Sequence, residues 1–175
     1  DLVRLGDLIE SEEFVESESI LRVPLGKDTY GEAVVADISS MPHLLLAGAT
    51  GTGKSVAINT IILSLLYRAT PEELGFILID PKVLELSMYD GIPHLRVPVV
   101  TVPRQAKAVL DWAAKEMDRR YRLMQRFRVR SIDGYNSLVR GETDPEARSS
   151  SESLIQLEEE KIIQDLWDCH DYCLK

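Results

Sequence analysis

Cysteine is scarce in this 175-residue chain: Cys169 and Cys173 are the only two. That excludes a disulfide framework and makes a reducing cytoplasm the default compartment. Aromatic residues make up only 6% of the chain. No apolar run approaches the ~20 residues that cross a bilayer, so no membrane segment is expected. The first residues, Asp1-Leu-Val-Arg4, carry no signal-peptide pattern. Histidine is also scarce, with three residues. His170 sits inside Cys169-His-Asp-Tyr-Cys173, which offers too few ligands for a closed zinc site. An amphipathic helix that is packed or faces a partner is the competing reading of that segment.

What is present is enough apolar sequence, 45%, to build one α/β core. The formal charge of −9 is unevenly placed. Residues 141–175 carry −7, whereas residues 104–140 carry +6. A basic helical stretch therefore precedes an acidic tail, and the overall sign does not exclude a nucleic-acid partner. Lys115, Arg119, Arg120, Arg122, Arg126, Arg128 and Arg130 could touch a phosphate backbone. A solvated helix face or a subunit contact is the plainer reading of such a run.

The order of elements follows from apolar periodicity. Leu5, Leu8 and Ile9 are spaced for one helical face. Residues 21–38 read as extended segments joined by a Gly26-Lys-Asp28 turn. His43-Leu-Leu-Leu-Ala47 reads as a buried strand, and Val56–Leu66 as a helix buried beneath a sheet. Phe76-Ile-Leu-Ile79 and Val97–Val102 supply two further strands. Ala106, Val109, Leu110, Ala113, Met117, Tyr121 and Met124 recur at helical spacing. Alternating strands and helices imply a parallel sheet with right-handed crossovers. Gly141–Ser153 reads as a linker, and Ile155, Ile162, Leu166, Cys169 and Cys173 as one face of a terminal helix.

Between the first buried strand and its helix lies Gly48-Ala-Thr-Gly-Thr-Gly-Lys-Ser55, which matches G-x-x-x-x-G-K-[ST], a Walker A P-loop. Gly48, Gly51 and Gly53 allow backbone angles and close approaches closed to other residues. The loop from Gly48 through Ala49, Thr50, Gly51, Thr52 and Gly53 to Lys54, Ser55 and Val56 is the expected phosphate cradle of a Mg-nucleotide. Lys54 is the expected catalytic charge on the β- and γ-phosphates, and Ser55 the expected Mg²⁺ ligand. The competing reading is a tight strand-to-helix turn without ligand. Asp80 ends an apolar strand, where it could hold Mg²⁺ through water or simply form a turn before Pro81.

The residues PHLLLAGATGTGKS at 42–55 resemble the P-loop region of the FtsK/SpoIIIE family of DNA translocases. LIDPKVLELSMYDGIPHL at 78–95, EMDRRYRLM at 116–124 and GYN at 134–136 are similar to further family blocks in the same order. Upstream, Leu25-Gly-Lys-Asp28, Gly31-Glu32 and Val35-Ala-Asp37 resemble the approach to the family's motor. The resemblance implies a RecA-like P-loop NTPase core, incomplete here, over residues 1–140. It implies ATP and Mg²⁺ as ligands, double-stranded DNA as partner, and a homo-hexameric ring formed by the full-length parent. The family acts in chromosome segregation or DNA transfer, and its membrane anchor usually lies far upstream of the motor.

One departure matters. The family's Walker B strand, an apolar run ending Asp-Glu, should follow the GYN block. The nearest candidate is Leu154-Ile-Gln-Leu157 before Glu158-Glu-Glu160. The family's equivalent of Asp80 is not its Walker B. Three readings stand: the nucleotide-binding part of a translocase, a truncated nucleotide-binding module without turnover, and a small P-loop kinase. The ordered blocks and the lack of an Arg-rich lid weigh against the kinase.

Overall fold

The computed structural model describes residues 2–41 and 43–140. The expected linker, the terminal helix and the Leu154–Glu160 candidate all lie outside the described residues. The chain divides into two compact units, with the division between Gly75 and Phe76. Each is taken by itself.

The first unit opens with two short helices, α1 (Leu5–Ile9) and α2 (Glu12–Val15). Leu8 and Phe14 are their buried residues. An antiparallel hairpin follows, β1 (Arg22–Lys27) against β2 (Ala33–Asp37). Its register slips between Pro24 and Gly26. A bulge suits that position, because Pro24 has no N–H to give to a ladder. Asp28 closes the hairpin: its Oδ1 accepts the Tyr30 N–H at 2.8 Å and the Glu32 N–H at 3.0 Å. After the P-loop sequence comes α3 (Lys54–Arg68), which packs on β1 and buries Ile62, Ser64 and Leu65. The expected helix is present and slightly longer at both ends.

The expected strand at 43–47 is not. Leu44, Leu45 and Leu46 are exposed, Leu45 at 89%, and the segment joins no ladder. An apolar run becomes a strand only when a neighbouring strand takes up its backbone groups. Among the described residues of this unit the only sheet is the two-stranded hairpin. For the same reason α3 is not buried all round: Val56 and Tyr67 are 68% and 71% exposed.

In the second unit, 76–80 and 95–100 run parallel, joined by bridges at Phe76–Leu95 and Ile79–Val100. The Phe76 N–H donates to the His94 carbonyl at 2.8 Å, and the Asp80 N–H to the Val100 carbonyl at 2.8 Å. Parallel pairing is thus as expected, but the crossover between these two segments is a loop with one 3-10 turn, Ser87–Tyr89, rather than an α-helix. The long helix α4 (Pro103–Arg126) follows, then α5 (Ile132–Arg140). Val97, Val100 and Val109 form the core of this unit, with Ile77, Ile79, Ala106 and Trp112 packed around them. Phe127 and Tyr135 meet edge to face at 5.4 Å between ring centres, joining the end of α4 to α5. Leu110, Met117 and Tyr121, expected on the buried face of α4, are instead more than half exposed. At about 100° per residue they lie far round the helix from Val109 and Leu123, the two residues it buries.

Candidate nucleotide-binding loop

The geometry of residues 48–56 starts from two glycines. Gly53 is the N-cap of α3 and sits in the left-handed region at φ 92°, ψ 12°. There the chain turns into the helix at an angle that a side chain would oppose. Gly48 is required by close approach: a Cβ built on it would collide with the Thr52 hydroxyl, with the Lys54 Cγ also nearby at 3.7 Å. Between them the loop folds on itself. The Ala49 carbonyl accepts the Thr52 N–H at 3.3 Å and the Thr52 hydroxyl at 2.7 Å. Gly51, inside that turn, has φ 83°.

The first intrahelical bond of α3 runs from the Ala57 N–H to the Gly53 carbonyl at 2.8 Å. Helix geometry therefore directs the N–H groups of the first turn out of its end, where the helix dipole is positive. Lys54 is the first helical residue and is exposed, Ser55 is half-buried, and Val56 is exposed. No acidic residue lies in that first turn to compete for an anion. These residues fit a polyphosphate: a loop made compact by a missing Cβ, a helix N-terminus and a mobile ammonium group within one short segment.

Asp80 belongs to the second unit, and its environment differs from that of an open metal ligand. It is only 7% exposed. Its Oδ1 accepts the Lys82 N–H at 3.1 Å. Its Oδ2 accepts the N–H groups of Leu84 at 2.9 Å, Glu85 at 2.9 Å and Leu86 at 3.1 Å. Hydrogen bonds from the Glu85 and Leu86 N–H groups, seconded by those of Lys82 and Leu84, hold its carboxyl below the usual carboxylate range. The turn-forming reading of Asp80 accounts for this arrangement. An Asp before Pro signals a turn, but nothing in the sequence indicates that one carboxylate gathers four amides.

On α4, Glu116 accepts both Arg119 Nε at 2.6 Å and Arg119 Nη2 at 2.7 Å, and also Arg120 Nε at 2.8 Å. The Arg119 guanidinium, followed by that of Arg120, lowers the Glu116 carboxyl against the opposing effect of burial. Two cations of the basic run are therefore held by one carboxylate within the helix, which offsets one of their two charges. Among the described residues, no group of three or more His, Cys, Asp or Glu side chains is placed to hold a metal. No helix there is long and apolar enough to cross a membrane.

Together these features define an α/β chain in which a glycine-rich loop opens a helix and a parallel pair carries an acidic corner. Comparison with known proteins narrows that class. The chain belongs to the FtsK/SpoIIIE family, whose model matches residues 4–153. It is 56% identical over 139 residues to the DNA translocase FtsK of Brucella melitensis biotype 1, covering 79% of this chain and 17% of that one. It is likewise 56% identical over 135 residues to the DNA translocase FtsK of Rickettsia bellii, covering 77% and 18%. Among solved structures it is similar to the cytoplasmic domain of the Thermomonospora curvata type VII secretion ATPase EccC. The TM-score there is 0.60 at 28% identity, covering 83% of this chain and 18% of that one. The chain thus spans less than a fifth of the length of these relatives.

Proposed function

We propose that residues 1–140 are the nucleotide-binding portion of a motor that moves double-stranded DNA at the expense of ATP, in chromosome segregation or DNA transfer. The observation that carries this reading is the loop at 48–55, closed by the Thr52–Ala49 bonds and delivered by Gly53 onto the N-terminus of a 15-residue helix. Its N–H groups and helix end suit a triphosphate. Lys54 is the group for the β- and γ-phosphates and Ser55 the group for Mg²⁺. The homologous DNA translocases support a DNA substrate, and a homo-hexameric ring is proposed for the full-length parent.

The surface of this chain best suited to DNA is the outer side of α4. Besides Arg119 and Arg120, which Glu116 holds, the bases Arg104, Lys115, Arg122 and Arg126 lie along one exposed side of the helix. At helical spacing they fall within about 40° of arc. Such a row could follow a phosphate backbone.

The test is calorimetric titration of the 175-residue chain with MgADP and with a non-hydrolysable MgATP analogue. Lys54→Ala is expected to weaken binding at least about tenfold, because a charge-assisted contact to phosphate is lost. Equal affinity in the two proteins would refute the loop as a nucleotide site. A nucleotide-binding module without turnover is the second reading. It is favoured by the state of the Asp80 carboxylate, which already accepts four backbone N–H groups.

A further inference from the structure

The five residues after Pro81 share one property. From Lys82 to Leu86, every backbone N–H ends on Asp80. Four go to its carboxylate, and the fifth, from Val83, goes to its main-chain carbonyl at 3.1 Å. A carboxylate offers about two lone-pair sites on each oxygen; three donors crowd Oδ2 and a fourth engages Oδ1. Successive N–H groups arranged around an anion form a nest, and here the anion is supplied by the chain itself. Asp80 is in turn fixed from behind by its own N–H, which donates to Val100 across the parallel pair at 2.8 Å.

The corner so formed contains a conformation that it would not otherwise keep. Val83 lies at φ 55°, in the left-handed region. A β-branched residue there is a genuine outlier, and such residues persist only where their surroundings over-determine them. The side chain is not the cause, since Val83 is 54% exposed. The bonds to Asp80 on either side of it are what hold it.

We propose that Asp80 is the organising anion of this corner and not a magnesium ligand: it winds Pro81–Leu86 into a preformed rim at the carboxyl end of the parallel pair, without any divalent cation. That end is where open α/β sheets take their ligands. The rim presents Leu84, 75% exposed, and Lys82, also exposed, from a backbone with no free donor between residues 82 and 86. A cation on Oδ2 would have to displace up to three of these bonds, and one on Oδ1 would compete with the Lys82 N–H.

The test is amide exchange and nucleotide binding on the 175-residue chain. In the wild type the amides of Leu84, Glu85 and Leu86 are expected to be protected, with signals unmoved by millimolar Mg²⁺. Asp80→Asn replaces an acceptor oxygen by an NH₂ group, and protection at these three amides is expected to fall at least about tenfold. The same variant is expected to keep the ratio of ADP affinities with and without Mg²⁺, whereas Ser55→Ala lowers that ratio. Protected amides in Asp80→Asn together with a lowered Mg²⁺ ratio would overturn the proposal. So would wild-type amide signals at 84–86 that move as Mg²⁺ is added, a measurement that needs no variant. The inference rests on the nucleotide reading only for the affinity ratio. Absence of any nucleotide binding would sink that reading, while the exchange and Mg²⁺ measurements still decide the role of Asp80.

Discussion

The guanidinium of Arg68 lies over the ring of Phe14, 4.8 Å from its centre, and also donates to the Phe14 main-chain carbonyl. A second nitrogen donates to the carbonyl of Ser17. One side chain at the end of α3 thereby ties down α2 and the residues just after it, some fifty positions earlier in the chain. Arg68 also occupies the last turn of its helix, where a cation suits the dipole. Arg68→Ala is expected to destabilise the first unit by about 2–3 kcal/mol, from two charge-assisted bonds and a cation–π contact. Arg68→Lys should recover less than half, because an ammonium cannot serve both carbonyls in one planar fork. Urea unfolding followed by far-ultraviolet circular dichroism measures both. A loss below 0.5 kcal/mol for the alanine variant, roughly the level of a neutral surface change, would contradict the assignment.

The two apolar sides of α4 can be told apart by truncation. Val109 is fully buried against Val97 and Val100, while Leu110 is 59% exposed. Val109→Ala is expected to cost about 2 kcal/mol in lost burial and cavity formation. Leu110→Ala should cost under about 0.5 kcal/mol, as surface changes do. Parity between the two, or the reverse order, would show that α4 rests on its other face.

Acid should weaken the Glu116 cluster in a definite window. Its carboxyl is lowered in the folded chain, chiefly by the Arg119 guanidinium. A depressed carboxylate contributes stability that is fully present above its unfolded value, about 4.3, and is lost as pH falls through the folded value. Stability of the second unit is therefore expected to decline below about pH 4 in the wild type. Glu116→Gln should be less stable at pH 7 and show a shallower decline. Parallel pH profiles for the two proteins would remove Glu116 as a contributor.

Much of this was legible in the sequence, for reasons that also explain what was not. The hairpin at 22–37, α3 and α4 follow from local turn chemistry and apolar spacing, which act within a few residues of where they are read. The loop at 48–55 could be named from its glycines because φ restrictions belong to the residues themselves. Burial is different. The exposure of Leu44–Leu46 depends on whether another strand arrives beside them, and spacing alone does not reveal which of Val109 or Leu110 faces the core. Asp80 is the clearest case: the sequence shows an Asp before a Pro, while its role comes from four amides gathered by a backbone that includes an improbable Val83.

Hydrolysis of ATP by the 175-residue chain is expected to be slow and indifferent to DNA. Phosphoryl transfer needs Mg²⁺ held by the P-loop hydroxyl together with a carboxylate, and a group that places the attacking water. On the proposed reading Lys54 and Ser55 would serve the phosphates and the Mg²⁺. The Asp80 carboxylate is already engaged by four N–H groups and serves its own corner rather than Mg²⁺ on the proposal above. Groups supplied in trans to such sites are commonly worth ~10³–10⁵ in rate, so turnover by this chain by itself is expected to be far below that of an assembled motor. The measurement is phosphate release by the purified chain, with and without duplex DNA, in the wild type, Lys54→Ala and Asp80→Asn. All three are expected to lie near background. Robust release that disappears in Lys54→Ala would mean that a catalytic carboxylate operates in this chain after all. If Asp80→Asn abolished it too while the corner amides stayed protected, that carboxylate would be Asp80.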